Sequence, residues 1–362
     1  GDTMTIHQQP IAARIDWLYE VAGRYSAAYC DPEASMARER HRARHPTALA
    51  VMKCMDGRIN IPIATNTPPG IIQPFRNLGG FFDLGWPHLG EVIDHYVHDR
   101  VCGGQRVLML ITYHFSRGDA HRSCAGFAYH TEDAVAHVFG VKAQVEHVFG
   151  RQHGTVYPLV CGFETDEDAL ILHGPDGRTL DVSTLPATED EAGLRARLQP
   201  LFPDMPRQML ADLARLVAGN IAHVAEVRQT DRQLDIEHRE WMICVGRGFD
   251  FLHAPNLALI IGPYSPDLAD PIRKAGAIIA SNMHSRRIPD DGFLLLASSP
   301  YQDIGSDRAR AELKARFMAH FAAEVIRRDL PDLAPRMTVH AAVLNWATRG
   351  LESIAPLPGV ID

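Results

Sequence analysis

Four apolar runs in the first half of this chain return in its second half, in the same order and at nearly the same spacing. Val51–Arg58 (VMKCMDGR) is matched by Trp241–Arg247 (WMICVGR), each an apolar run that reaches a cysteine and then a glycine and an arginine. Ile71–Arg76 is matched by Asn256–Gly262, Val107–His114 by Gly292–Ser299, and Thr155–Phe163 by Thr338–Trp346. From Cys54 to Thr155 is 101 positions, and from Cys244 to Thr338 is 94. A set of runs that recurs as a whole marks a repeated structural unit, so the chain is expected to hold one fold written twice.

The segments themselves say what that fold is. Arg106–Phe115 (RVLMLITYHF) is almost wholly apolar and short, which suits a strand buried on both faces in a parallel sheet. Ala48–Cys54 and Ile71–Phe75 read as further strands, stopped by Asp56-Gly57 and by Gly79-Gly80. Between the strands lie helical patterns, with Leu89, Val92, Ile93, Tyr96 and Val97 along His88–Asp99, and with Glu132 and Asp133 opening a helix that runs to Val148. Thr155–Phe163 begins a hairpin with Ala169–His173, closed by Gly174-Pro175-Asp176-Gly177. Strands alternating with helices predict an α/β protein, a mainly parallel sheet flanked by helices, followed by a second, degenerate copy. The predicted divisions are an N-terminal helical segment over 1–45, a first copy over 46–185 and a second over 186–362, with the boundary in Thr184–Glu191.

Composition agrees and excludes some partners. A chain of 362 residues that is 46% hydrophobic can fill two cores. Lys plus Arg against Asp plus Glu is 36 − 44 = −8, so neither nucleic acid nor an anionic membrane is attracted in general. No run approaches the roughly 18 to 20 apolar residues of a membrane span, and no signal-peptide pattern opens the chain; a cytoplasmic protein is expected. Six scattered cysteines in such a chain point to metal or catalytic use sooner than to disulfides.

Cys54, His114 and Cys124 all fall where an apolar strand gives way to a loop or helix, the edge at which open α/β sheets build sites. Two thiolates and one imidazole suit Zn²⁺ with one position left open, the catalytic rather than the structural arrangement. His121 competes with His114, because His121-Arg122-Ser123-Cys124 has the compact spacing of a chelating pair. His114 is preferred, since a strand end is held more rigidly than the loop Ser116–Ala120. Asp56 lies two residues after Cys54 and Arg58 four, and an arginine paired to that carboxylate holds it off the metal. The metal then keeps a water whose pKa falls to about 7, with Asp56 orienting it. In the second copy Gly246 stands for Asp56, Ser298 or Ser299 for His114, and no thiol stands for Cys124, so only the first copy is expected to hold metal.

These residues resemble a known family. Cys54-Met55-Asp56-Gly57-Arg58, then Arg76-Asn77-Leu78-Gly79-Gly80, then Tyr113-His114 with Cys124 beyond, resemble a β-class carbonic anhydrase in order and approximate spacing. Tyr113-His114-Phe115-Ser116 with His121-Arg122-Ser123-Cys124-Ala125 is more similar to the carboxysomal shell-associated branch, in which an insertion separates the His and second Cys ligands and a degenerate copy of the fold follows. The resemblance covers about Ala48–Asp181 as the catalytic copy and about Arg239–Ile354 as the defunct one. It implies that Cys54, His114 and Cys124 bind zinc, that Asp56 and Arg58 form the catalytic dyad, and that the reaction is reversible hydration of CO₂ to bicarbonate and a proton. Gly57 stands where the family usually carries Ser, and His45-Pro46 where it often carries Gln. The β-class works as dimers, so a chain with two copies would imitate one dimer. A homodimer of whole chains, residence in a bacterial microcompartment and attachment to a carboxysome shell stay open.

Two rival readings keep the same residues. One is a hydrolase acting on carbon disulfide or carbonyl sulfide at the same zinc; the other is a catalytically weak assembly component whose structural zinc is closed by Asp56 or His121. An apolar pocket wall is expected around Phe75, Leu78 and Phe81. Cys30, Cys102 and Cys161 read as structural and Cys244 as the relic of Cys54. The histidines at 88, 95, 98, 130, 137, 147 and 153 read mostly as solvated or capping.

Overall fold

The computed structural model describes residues 6–55, 59–77, 80–118, 127, 130–230, 238–249, 251–252 and 256–355. The strands are β1 (Ala48–Cys54), β2 (Ile72–Asn77), β3 (Val107–Phe115), β4 (Val156–Glu164), β5 (Ala169–His173), β6 (Thr179–Asp181), β7 (Met242–Gly246), β8 (Ala258–Ile261), β9 (Phe293–Tyr301), β10 (Met337–Asn345) and β11 (Gly350–Ile354). The helices are α1 (Ile11–Cys30), α2 (Pro32–Arg44), α3 (Ile61–Ala64), α4 (Pro87–Cys102), α5 (Thr131–Phe149), α6 (Glu191–Leu201), α7 (Arg207–Gln229), α8 (Ala269–His284) and α9 (Ser306–Asp329).

The strands form two sheets, ordered β2-β1-β3-β4-β5-β6 and β8-β7-β9-β10-β11. In the first, β1 pairs parallel with β2 and β3, β3 parallel with β4, and β4 antiparallel with β5. The second repeats that plan strand for strand, with β7 parallel to β8 and β9, β9 parallel to β10, and β10 antiparallel to β11. Both central ladders pair nine residues with nine, Val107–Phe115 with Val156–Glu164 and Phe293–Tyr301 with Met337–Asn345. The protein is therefore α/β, two mainly parallel sheets flanked by helices, one fold present twice.

Local sequence explains the elements. β1 is buried along its whole length and β3 along all but its last residue, the continuous apolar run that a parallel strand covered on both faces requires. Helix α5 buries Ala134, Val138, Val141 and Val145, and α4 buries Leu89, Ile93 and Val97, each set spaced for one helical face. Asp190 starts α6 by accepting the Gly193 amide at 2.7 Å, satisfying a donor that the helix itself leaves unpaired. Deleting a central side chain such as Leu110, fully buried, costs about 2–5 kcal/mol.

The chain divides into two compact units. One comprises residues 35–54 and 59–236 and carries the first sheet; the other comprises 1–34, 55–58 and 237–362 and carries the second. The N-terminal stretch 1–45, expected as one segment, is thus shared, and α1 is part of the second-sheet unit. There Arg14 is fully buried, its Nη2 donating to Asp291 Oδ1 at 2.6 Å and its guanidinium lying over Trp241 at 5.2 Å. Tyr19 Oη lies 2.7 Å from His340 Nδ1. Sequence placed the boundary at 185/186, whereas the first-sheet unit continues to 236 and takes in α6 and α7. The polar loop 184–191 looks like a linker, yet buried Asn220 of α7 accepts the Leu170 amide of β5 at 3.0 Å and donates to Ala64 O at 2.7 Å. No described helix is long and apolar enough to cross a membrane.

Candidate functional site

Cys54 is the last residue of β1 and His114 the last but one of β3, and both are buried. Because β1 and β3 are neighbours running the same way, the thiol and the imidazole belong to one carboxyl edge of the first sheet, the edge at which α/β folds open toward ligands. Just inside that edge Thr112 Oγ1 donates to Met52 O at 2.8 Å, a cross-strand bond that ties the two strands together. Gly80 crosses beside them with φ +70°, and a Cβ there would sit 3.5 Å from Thr112 O and 3.9 Å from Cys54 N. The left-handed conformation favours glycine and lets the backbone run close to the strand ends.

The rest of the expected constellation, Asp56, Arg58 and Cys124, lies outside the described residues, as do His121, the alternative to His114, and Leu78 of the expected pocket wall. Among the described residues no group of three or more His, Cys, Asp or Glu side chains gathers as a metal site. What is described fits two of the three donors proposed for zinc: a cysteine sulfur and a histidine nitrogen, buried at adjacent strand ends, are the donor types that the metal takes.

The turn that follows β2 is held from α5 by residues that sequence analysis passed over. Asn77 Nδ2 donates to Phe81 O at 2.9 Å. The Phe82 amide donates to His137 Nε2 at 3.2 Å and the Leu84 amide to Gln144 Oε1 at 2.9 Å. Phe81 stacks on Phe127 with centroids 4.4 Å apart and lies 5.0 Å from the His137 ring. Burial, opposed by the Asp83 charge, holds the His137 pKa below its ordinary value, so the ring stays neutral and keeps a lone pair for the amide. His137, expected to be solvated or capping, is a positioning residue. The signal that could have found it is its seven-residue spacing from Gln144, two polar side chains on one helix face. Of the other expected wall residues, Phe75 is fully buried and meets Tyr96 edge-on at 6.0 Å.

The exit from β3 is held from the other side. Ser116 Oγ donates to Asp166 Oδ1 at 2.6 Å and the Gly118 amide to Asp166 Oδ2 at 2.9 Å, while Arg117 pairs with Asp181. Glu164 ends β4 beside Phe115 and accepts the Asp166 and Glu167 amides at 2.6 and 3.2 Å. Burial pushes the Glu164 carboxyl up, despite those amides. The chain that leaves His114 is therefore anchored by Asp166 and Asp181, and Glu164 holds the turn that carries Asp166.

The corresponding strand end of the second sheet is built differently. Gly246 ends β7 with φ +127°, and a Cβ there would lie 2.0 Å from Ser298 O. A side chain at Gly246, which the sequence matches to Asp56, would collide with that carbonyl. Ser298 Oγ donates to Arg247 O at 2.8 Å, so one of the serines at the strand end is spent on the backbone.

No family model and no curated protein matches the chain. Among solved structures it is similar to one described as the structure of the beta-carbonic anhydrase CcaA, at 10% identity and a TM-score of 0.32 over 43% of this chain and 95% of that one.

Proposed function

We propose that the chain is a zinc-dependent carbonic anhydrase that interconverts CO₂ and water with bicarbonate and a proton. The observation that supports this reading most directly is the placement of Cys54 and His114, both buried at the carboxyl ends of neighbouring parallel strands, in a sequence that supplies Asp56, Arg58 and Cys124 in family order. Cys54, His114 and Cys124 would hold the zinc, which supplies a water made acidic enough to act as a nucleophile near neutral pH. Asp56 would accept a hydrogen bond from that water and orient it. Arg58 would pair with Asp56 and keep the carboxylate in that role. The stacked Phe81 and Phe127 rings offer an apolar wall suited to an uncharged substrate. His137 and Gln144 hold the turn that carries Phe81.

Stopped-flow CO₂ hydration with zinc analysis tests the proposal. The expected result is near one zinc per chain and hydration activity that falls by about 10³-fold or more in Asp56→Asn, while Cys54→Ala loses the metal. Activity unchanged in both variants would overturn it. Turnover of carbonyl sulfide or carbon disulfide without CO₂ hydration would assign the same residues to a hydrolase.

A further inference from the structure

Asp212 of α7 is 4% exposed, and the groups bonded to it all donate. Thr47 gives its amide to Oδ2 at 3.0 Å and its hydroxyl to the same oxygen, and Gln208 Nε2 donates to Oδ1 at 3.0 Å. His45 Nδ1 lies 2.8 Å from Oδ1. A carboxylate can only accept, so Nδ1 carries the proton and the lone pair of the His45 ring is left on Nε2. One helical turn earlier, on α2, stands His41. The His45 amide donates to His41 O at 2.7 Å, which carries the helical spacing one residue past Arg44, and the two rings lie with centroids 5.1 Å apart. Beyond the bond to Asp212, neither ring is hydrogen-bonded to a described residue. All of these residues belong to the first-sheet unit.

We propose that His41 and His45 chelate one divalent transition-metal ion of the zinc, nickel or copper class, with Asp212 behind His45 as the carboxylate that orients it. Two histidines at i and i+4 on one helix face are a recurrent zinc-binding pair. An ion about 2.1 Å from one nitrogen of each ring, with a near-tetrahedral angle between them, sets the ring centres roughly 5 Å apart, close to the separation observed. Asp212 supplies what a ligating histidine ordinarily has, a carboxylate on the nitrogen that the metal does not take. The surrounding charge selects the class of ion. Besides His45 and Asp212, the charged groups acting on His41 are Arg215 and Arg42. A hard ion such as Ca²⁺ or Mg²⁺ needs several oxygens and finds the Asp212 carboxylate already taken by its donors, whereas neutral imidazoles suit zinc, nickel and copper. The pair is separate from the strand ends that carry Cys54 and His114. His45 precedes β1 and Cys54 ends it, and the six steps of that strand alone span about 20 Å.

Titration of the full chain with Zn²⁺, read by equilibrium dialysis and by nuclear magnetic resonance of its histidine rings, tests the proposal. With two protein ligands rather than four, the expected dissociation constant is about 10 µM. The ring signals of His41 and His45 should shift together over that range, and they should do so equally in Cys54→Ala. His41→Gln leaves the bonds of Asp212 in place and reduces the chelate to one ligand, so it should weaken binding by about 100-fold. Asp212→Asn should weaken it by about 10-fold to 100-fold with both histidines kept. Far-ultraviolet circular dichroism checks that each variant keeps its fold, and His41→Gln alone decides the matter if the buried Asp212→Asn change unfolds the chain. Ring signals that stay in place, or that move only at about millimolar zinc as for an adventitious ion, overturn the proposal. So does binding that His41→Gln leaves unchanged.

Discussion

His137 Nε2 accepts the backbone N–H of Phe82 at 3.2 Å, so a side chain of α5 fixes the turn that passes the end of β1. Burial lowers the His137 pKa from 6.5, which means that the folded state favours the neutral ring. Its contribution is fully present above the unfolded value of 6.5 and is lost as pH falls through the lower folded value. A nuclear magnetic resonance titration should give His137 a midpoint below 6.5, and His137→Phe should speed exchange of the Phe82 amide by about fivefold to tenfold, the worth of one hydrogen bond. A midpoint above 6.5 refutes this account.

Thiol chemistry should separate the cysteines by depth. Cys30 and Cys102 are exposed, whereas Cys161 is buried and burial pushes its thiol up to about 12. The thiolate is the reacting form. An aromatic disulfide reagent should therefore label Cys30 and Cys102 within minutes in the native protein and reach Cys161 only on unfolding, as peptide mass mapping would show.

Placing a carboxylate at Gly246 should fail on steric grounds. With its Cβ position 2.0 Å from Ser298 O and φ at +127°, Gly246→Asp is expected to cost about 3 kcal/mol or more. Gly140 lies inside α5 with nothing within 4 Å of its Cβ position, so Gly140→Ala should stabilise by about 0.5–1 kcal/mol. Thermal unfolding of the two variants should move in opposite directions.

A histidine clamp sets an acid limit on the first-sheet unit. His153 Nε2 lies 2.8 Å from Glu146 Oε2 and its Nδ1 2.8 Å from Asp204 Oδ2. Burial pushes both carboxyls up, but hydrogen bonds outweigh it, from His153 and Lys142 to Glu146 and from Tyr157 and His153 to Asp204, leaving both below their ordinary values. Stability from this source is present above the unfolded values of 4.5 and 3.8 and disappears as pH falls through the folded ones. Since Asp204 is nearly half exposed, the loss should amount to about 1 kcal/mol or less. His153→Gln should flatten the acid limb of a urea-stability profile below pH 4.5 by that amount.

The central strands were legible because each is a continuous apolar run: Arg106–Phe115 was predicted and Val107–Phe115 is observed. The three-residue β6 is partly exposed and carries no such run. Cys54 and His114 were legible as strand-end residues, and both are buried there. His137 was not, because its partner is a backbone N–H, which leaves no mark in sequence. Arg14 was hidden for a related reason: it is matched to Asp291 across 277 residues, and no local pattern announces so distant a pair. The boundary at 185/186 followed the polar loop and could not register Asn220, a single side chain that binds α7 to β5.

The close approach of Gly246 to the Ser298 carbonyl fixes what the exit of β7 can become. A single substitution there meets a collision rather than a vacancy. The backbone must open before any side chain at that position can act, so the exit of β7 answers to two changes and not to one.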